Sequence, residues 1–141
     1  MYPYINKHVD YSGLAAGHDI LKIGLFAPRP SLNIRIDQRI KSRVNQGMID
    51  EAVRLRRKGL TLERMRQLGL EYRCLADLLA GLLSREQFTA QLQTKIHQYA
   101  KRQMVWFKKE PGVSWFDITS QGWIKKVEKL TSRWYNALSR E

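Results

Sequence analysis

The sequence predicts a mainly α protein, a helical bundle with one short strand near its N-terminus. Three observations carry that prediction. Apolar residues recur every three or four positions through most of residues 32–138. Gly47, Gly59, Gly69, Gly81 and Pro111-Gly112 divide that stretch into helix-length pieces. Only Leu21-Lys22-Ile23-Gly24-Leu25-Phe26 reads as an extended apolar run, and Pro28 and Pro30 close it.

Taken in order, residues 1–19 carry Tyr2, Pro3, Tyr4, Gly13 and Gly17 without helical periodicity and read as an arm or loop. After Pro30, with Ser31 as cap, Leu32, Ile36, Ile40 and Val44 form one apolar face, and Arg35, Arg39 and Arg43 form a separate stripe. Met48, Ala52, Val53 and Leu55 continue beyond Gly47 as far as Gly59. Thr61 caps a short helix with Leu62, Met65 and Leu68, and Tyr72, Leu75, Leu78 and Leu79 belong to the next. Ser84-Arg85-Glu86-Gln87 has the pattern of a capping box, in which a Ser hydroxyl and a Gln side chain three residues on satisfy each other's backbone N–H groups. The long helix it opens places Phe88, Leu92, Ile96, Tyr99 and Phe107 on or near one face. Val113 to Phe116 reads as extended, and a last amphipathic helix gathers Trp123, Val127, Leu130, Trp134 and Leu138. The single strand has no evident partner within the chain and is expected to join a sheet whose other strands lie elsewhere, because a lone strand is not stable.

Twenty-five Lys and Arg against thirteen Asp and Glu give a formal charge of +12, which favours a polyanionic partner, nucleic acid or an acidic membrane surface. One cysteine, Cys74, excludes an intrachain disulfide and a zinc cluster. No apolar run reaches the length of a membrane span and no secretory signal is evident, so a cytoplasmic location is expected. His8, His18 and His97 have no metal-ligand spacing, and Asp10, Asp37, Asp50, Asp77 and Asp117 form no acid–base frame. No G-x-x-x-x-G-K-[ST] occurs, and Gly13-Leu14-Ala15-Ala16-Gly17-His18 has no lysine to reach a phosphate.

Three basic clusters are candidates for binding. On the long helix, Lys95, Arg102 and Lys109 share a stripe with Trp106 beside it, and Lys101 and Lys108 form a neighbouring stripe. Cations there suit phosphates and the indole suits a base, although a solvated face with a buried tryptophan has the same pattern. Arg54, Arg56, Arg57 and Lys58 end a helix, where they also offset its dipole. In Gly69-Leu70-Glu71-Tyr72-Arg73, Tyr72 and Arg73 either face a loop nucleotide, or Tyr72 is core and Arg73 pairs with Glu71 or Asp77.

Several segments resemble the tRNA dimethylallyltransferases. Leu21 to Leu25 through Pro28-Arg29 is similar to a late strand of that family, and Leu32 to Arg43 to the helix after it. Gly47 to Ala52, Leu68 to Arg73, Gln98 to Lys108 and Trp115-Phe116-Asp117 follow in the family's order, with Glu71 standing where the family usually has glycine. The resemblance covers residues 20–117, leaving 1–19 as an arm and 118–141 as a C-terminal amphipathic helix. It implies the C-terminal part of a P-loop α/β transferase, without the P-loop and catalytic aspartate, and inactive alone. The complete enzymes move a dimethylallyl group from its diphosphate to N6 of an adenine beside the anticodon, with Mg²⁺. No cofactor is implied within this chain. The resemblance further implies a tRNA anticodon stem-loop and a separate P-loop catalytic half as partners, and no membrane. The implied tRNA contacts are Tyr72, Arg73, Lys101, Arg102, Gln103, Trp106 and Lys108. An alternative is a stand-alone RNA-binding adaptor derived from that family. A third reading places the Trp123–Leu138 helix on anionic membrane.

Overall fold

The computed structural model describes residues 19–138. These fall into two compact units, one of residues 27–111 and one that joins the segment ending at Phe26 to the segment starting at Gly112. The arm at residues 1–19 lies outside the described residues except for Asp19, and with it His8, His18 and the Gly13–His18 stretch.

The larger unit is a bundle of five helices, α1 (Arg29–Asn45), α2 (Met48–Arg57), α3 (Leu62–Gln67), α4 (Leu70–Leu79) and α5 (Arg85–Phe107). α1 starts earlier than the position of Pro30 suggests. Pro28 is its N-cap and Pro30 sits in the first turn, where a missing N–H forfeits no helical bond; no Ser31 cap forms. Gly69 separates α3 from α4 with φ 130°, a left-handed value that disfavours any L side chain. Thr61 Oγ1 accepts from Arg64 N at 3.1 Å. The capping box of α5 is complete, with Ser84 Oγ accepting from Gln87 N at 3.2 Å and Ser84 N donating to Gln87 Oε1 at 2.8 Å.

The core of this unit gathers Ile40 from α1, Met48, Ile49 and Ala52 from α2, Met65 from α3, Cys74, Leu75 and Ala76 from α4, and Phe88 and Leu92 from α5. The apolar periodicity therefore reports the true inner faces, with one exception. On α5 the buried residues are confined to the N-terminal half, and Tyr99 and Phe107 are exposed instead of continuing the core face. α5 is about 35 Å long at 1.5 Å per residue, so its last turns outrun the helices that cover its start.

The second unit contains β1 (Lys22–Phe26), β2 (Val113–Asp117) and α6 (Trp123–Leu138). Here the expectation of a strand with no partner in the chain is corrected. β1 pairs with β2 in parallel, Lys22 opposite Val113 and Phe26 opposite Asp117, and Ile118 N extends the ladder to Phe26 O at 2.9 Å. The intervening bundle is the crossover that a parallel pair requires. Phe26 and Trp115 meet edge to face, with ring centroids 6.4 Å apart. α6 packs on β2 and turns Trp123, Val127, Leu130 and Trp134 to its half-buried side, with Ile124 and Tyr135 exposed. Among the described residues no helix is long and apolar enough to cross a membrane.

Candidate nucleic-acid interface

The C-terminal half of α5 presents the most concentrated set of exposed cationic and aromatic side chains on the bundle. Successive residues turn by 100°, so Lys101, Val105, Gln98, Lys109, Arg102, Trp106 and Tyr99 share one broad face, with Lys108 at its edge next to Lys101. All eight are exposed, Trp106 at 64%. A shallow depression is lined by Gln98, Lys101, Arg102 and Val105. The opposite side of the same turns, Ala100 and Met104, is half-buried. Trp106 stacks edge to face on Phe107, centroids 5.1 Å apart, which restricts the indole without covering it. An exposed, braced indole flanked by cations with no ion pair among the described residues suits a polyanion that also offers flat rings. It answers one of the two readings of this segment, since the tryptophan is not buried.

Lys95 does not join that face. It is half-buried and donates to Gln91 Oε1 at 3.1 Å, close to Cys74. Burial pushes the Cys74 thiol up, and Lys95 beside it offsets part of that. Gln103 is exposed on the adjoining side of α5.

The segment at the start of α4 divides its roles. Arg73 is exposed, and its Nε donates to the backbone oxygen of Arg66 at 3.3 Å. It pairs with neither acid proposed for it. Glu71 is taken by Arg43 at 2.7 Å and Arg39 at 3.5 Å, and Asp77 by Arg66 at 3.1 Å. Tyr72 is half-buried and packs on the core, so only part of its ring is open to a ligand. Arg54, Arg56, Arg57 and Lys58 are all exposed at the end of α2 and form no ion pair among the described residues, an arrangement that the helix dipole accounts for.

His97 Nε2 lies 2.9 Å from Asp37 Oδ1, joining α5 to α1 one turn before Lys101. Both atoms are shut off from solvent and are not aligned for a hydrogen bond, so the contact is electrostatic. Periodicity alone does not signal this pair, since it needs the crossing of the two helices. Among the described residues no three His, Cys, Asp or Glu side chains gather as a metal site would require. The chain's described carboxylates thus assemble no Mg²⁺ site.

Comparison with known proteins follows from this geometry. The family described as IPP transferase matches residues 4–110 of the 141. The chain belongs to the IPP transferase family. A tRNA dimethylallyltransferase of Thermomicrobium roseum is 32% identical over 114 residues, covering 81% of this chain and 35% of that protein. One from Limosilactobacillus fermentum is 37% identical over 120 residues, covering 84% of this chain and 39% of its own length. The full-length tRNA isopentenylpyrophosphate transferase of Bacillus halodurans superposes with a TM-score of 0.74 at 30% identity, over 85% of this chain and 39% of that one.

Two expectations are corrected by these matches. The relationship was expected over residues 20–117, with residues 1–19 an unrelated arm; it begins at residue 4 and takes in most of that arm. The chain is accordingly an IPP transferase over most of its length, and its fold is to be compared with that family as such. The narrower reading as a C-terminal tRNA-binding portion, without a P-loop and inactive alone, is not retained. The chain spans somewhat over a third of the relatives it matches.

Proposed function

We propose that this protein acts on tRNA in dimethylallyl transfer, and that the exposed face of α5 is its RNA-contacting surface. The relatives named above carry that activity in their names. The observation that carries the site assignment is the open tryptophan among unpaired cations in the last turns of α5. Lys101, Arg102 and Lys108 engage backbone phosphates as counterion-releasing contacts. Trp106 offers its face to an unpaired base or ribose, and Gln103 hydrogen-bonds a base edge. Arg73 adds a guanidinium from α4, and the open edge of Tyr72 packs beside it. The complete reaction involves dimethylallyl diphosphate and Mg²⁺, and the ligand on this surface is the anticodon stem-loop, whose unstacked bases are reachable where those of a duplex are not.

Competition binding tests the assignment. A fluorescent stem-loop with an adenine beside the anticodon is displaced by unlabelled stem-loop and by a fully paired duplex of equal charge. The stem-loop is expected to compete at least tenfold better, because only it presents bases to Trp106. Equal competition reduces the surface to a nonspecific cation patch.

A further inference from the structure

Glu71 is the one acid on the cationic side of α1, and its environment is unlike that of the chain's other carboxylates. Each of its oxygens meets a different guanidinium, Oε2 with Arg43 Nη1 at 2.7 Å and Oε1 with Arg39 Nη2 at 3.5 Å. Arg35, one turn earlier on the same stripe, is exposed and forms no ion pair among the described residues. Two arginines on one carboxylate leave a surplus positive charge. They remain within reach of solvent, with the Arg39 side chain 62% and the Arg43 side chain 39% exposed.

We propose that Arg39 and Arg43 form a phosphate-binding site whose present occupant is the chain's own Glu71, and that an incoming phosphate competes with that carboxylate. The argument is geometric and electrostatic. A phosphate presents oxygens to two guanidinia as the carboxylate does, but with more acceptor sites and charge. A carboxylate held by partly exposed arginines is held weakly, because solvent screens the pair and ordering long side chains opposes it. The neighbouring Tyr72 and Arg73 belong to the RNA-contacting surface proposed above, and the assignment of RNA as the phosphate source rests on that reading. A free diphosphate has the same chemistry.

The test uses the full chain, wild type, Glu71→Gln, and Glu71→Gln with Arg43→Gln. Inorganic pyrophosphate is titrated calorimetrically, and the stem-loop RNA by anisotropy across a salt series. Glu71→Gln is expected to bind pyrophosphate roughly tenfold more tightly, through the charge-assisted contacts released. Its RNA affinity is expected to fall more steeply with salt, by about 0.7–0.9 in the log–log slope for each added phosphate contact. The added Arg43→Gln is expected to remove both gains. A pyrophosphate gain with no RNA binding by any variant upholds the anion site and defeats the RNA reading. An RNA gain alone upholds it with a phosphodiester as the ligand. Unchanged binding of both probes by Glu71→Gln, or gains that survive Arg43→Gln, would overturn the proposal. Should the amide variant fail to fold, Glu71→Gly carries the same expectation.

Discussion

A Cβ built on Gly24 would lie 2.5 Å from Cε3 of Trp115, a distance real side chains do not tolerate. The obstacle is a ring held against Phe26, not the tip of a flexible chain. Gly24→Ala is therefore expected to destabilise the β1–β2 unit by about 1–3 kcal/mol, the range for overpacking, where relief of chain entropy alone would favour alanine. Thermal unfolding followed by tryptophan fluorescence measures it, and a stability equal to or above wild type would show that the indole can move aside. The sequence signals a strand around Gly24 but not this contact, which depends on a partner beyond the whole bundle. The same limit applies to Glu71. Its charge is legible as an anomaly in a basic surface, whereas its two arginines are found only when α1 and α4 are placed side by side. Lys95 illustrates the opposite error. Seven-residue spacing from Arg102 puts it on the cationic stripe, and local burial withdraws it toward Gln91.

At the scale of the element, α5 depends on its N-terminal cap. Ser84 satisfies Gln87 N, and its hydroxyl also donates to Glu86 Oε2 at 2.8 Å. Ser84→Ala is expected to cost about 1 kcal/mol, as loss of an N-cap does, measured by denaturant unfolding. The hydroxyl holds the Glu86 carboxyl below its usual 4.5, with the backbone N–H of Glu86 adding to the effect. A folded-state value below the unfolded one means this contribution is present above about pH 4.5 and is lost as pH falls through the lower folded-state value. The stability difference between wild type and Ser84→Ala should accordingly shrink on acidification below that point, and a constant difference would contradict the assignment. This cap was legible in the sequence because its partners are three residues apart. The end of useful core contact on α5 was not, because it is set by how far neighbouring helices reach. Tyr99 and Phe107 have the right spacing for burial and nothing there to bury them.

For the molecule as a whole, the bundle's stability rests on a small core in which Phe88, Met65, Leu92 and Cys74 are the largest fully buried side chains. Phe88→Ala is expected to cost about 3–5 kcal/mol through lost burial and the cavity left behind. That is a large fraction of the stability of a domain this size, and calorimetric unfolding would register it as a drop in Tm. A loss under 1 kcal/mol would mean that the core collapses around the gap. Helix positions, the inner faces and the basic surface were all readable from local pattern and composition. The pairing of β1 with β2 and the extent of family relationship at the N-terminus were not, since one joins distant segments and the other lies in residues with no periodic signal. The charge of +12 is carried by surfaces of different kinds: α2 ends in cations that its own dipole accounts for, α1 holds two of its arginines against Glu71, and α5 alone sets cations beside an open indole.

That last distinction is the central claim, and one measurement tests it most directly. Binding of the adenine-containing stem-loop is followed across a salt series for wild type, Arg102→Ala, Trp106→Ala and, as a control cluster, Arg57→Ala. Arg102→Ala should weaken binding and lower the salt slope by about 0.7–0.9. Trp106→Ala should weaken it by about 1–3 kcal/mol with the slope unchanged, as loss of a stacking ring does, and Arg57→Ala should change little. Equal binding by all four proteins, or equal losses from Arg57→Ala and Arg102→Ala, would contradict the placement of the RNA site on α5.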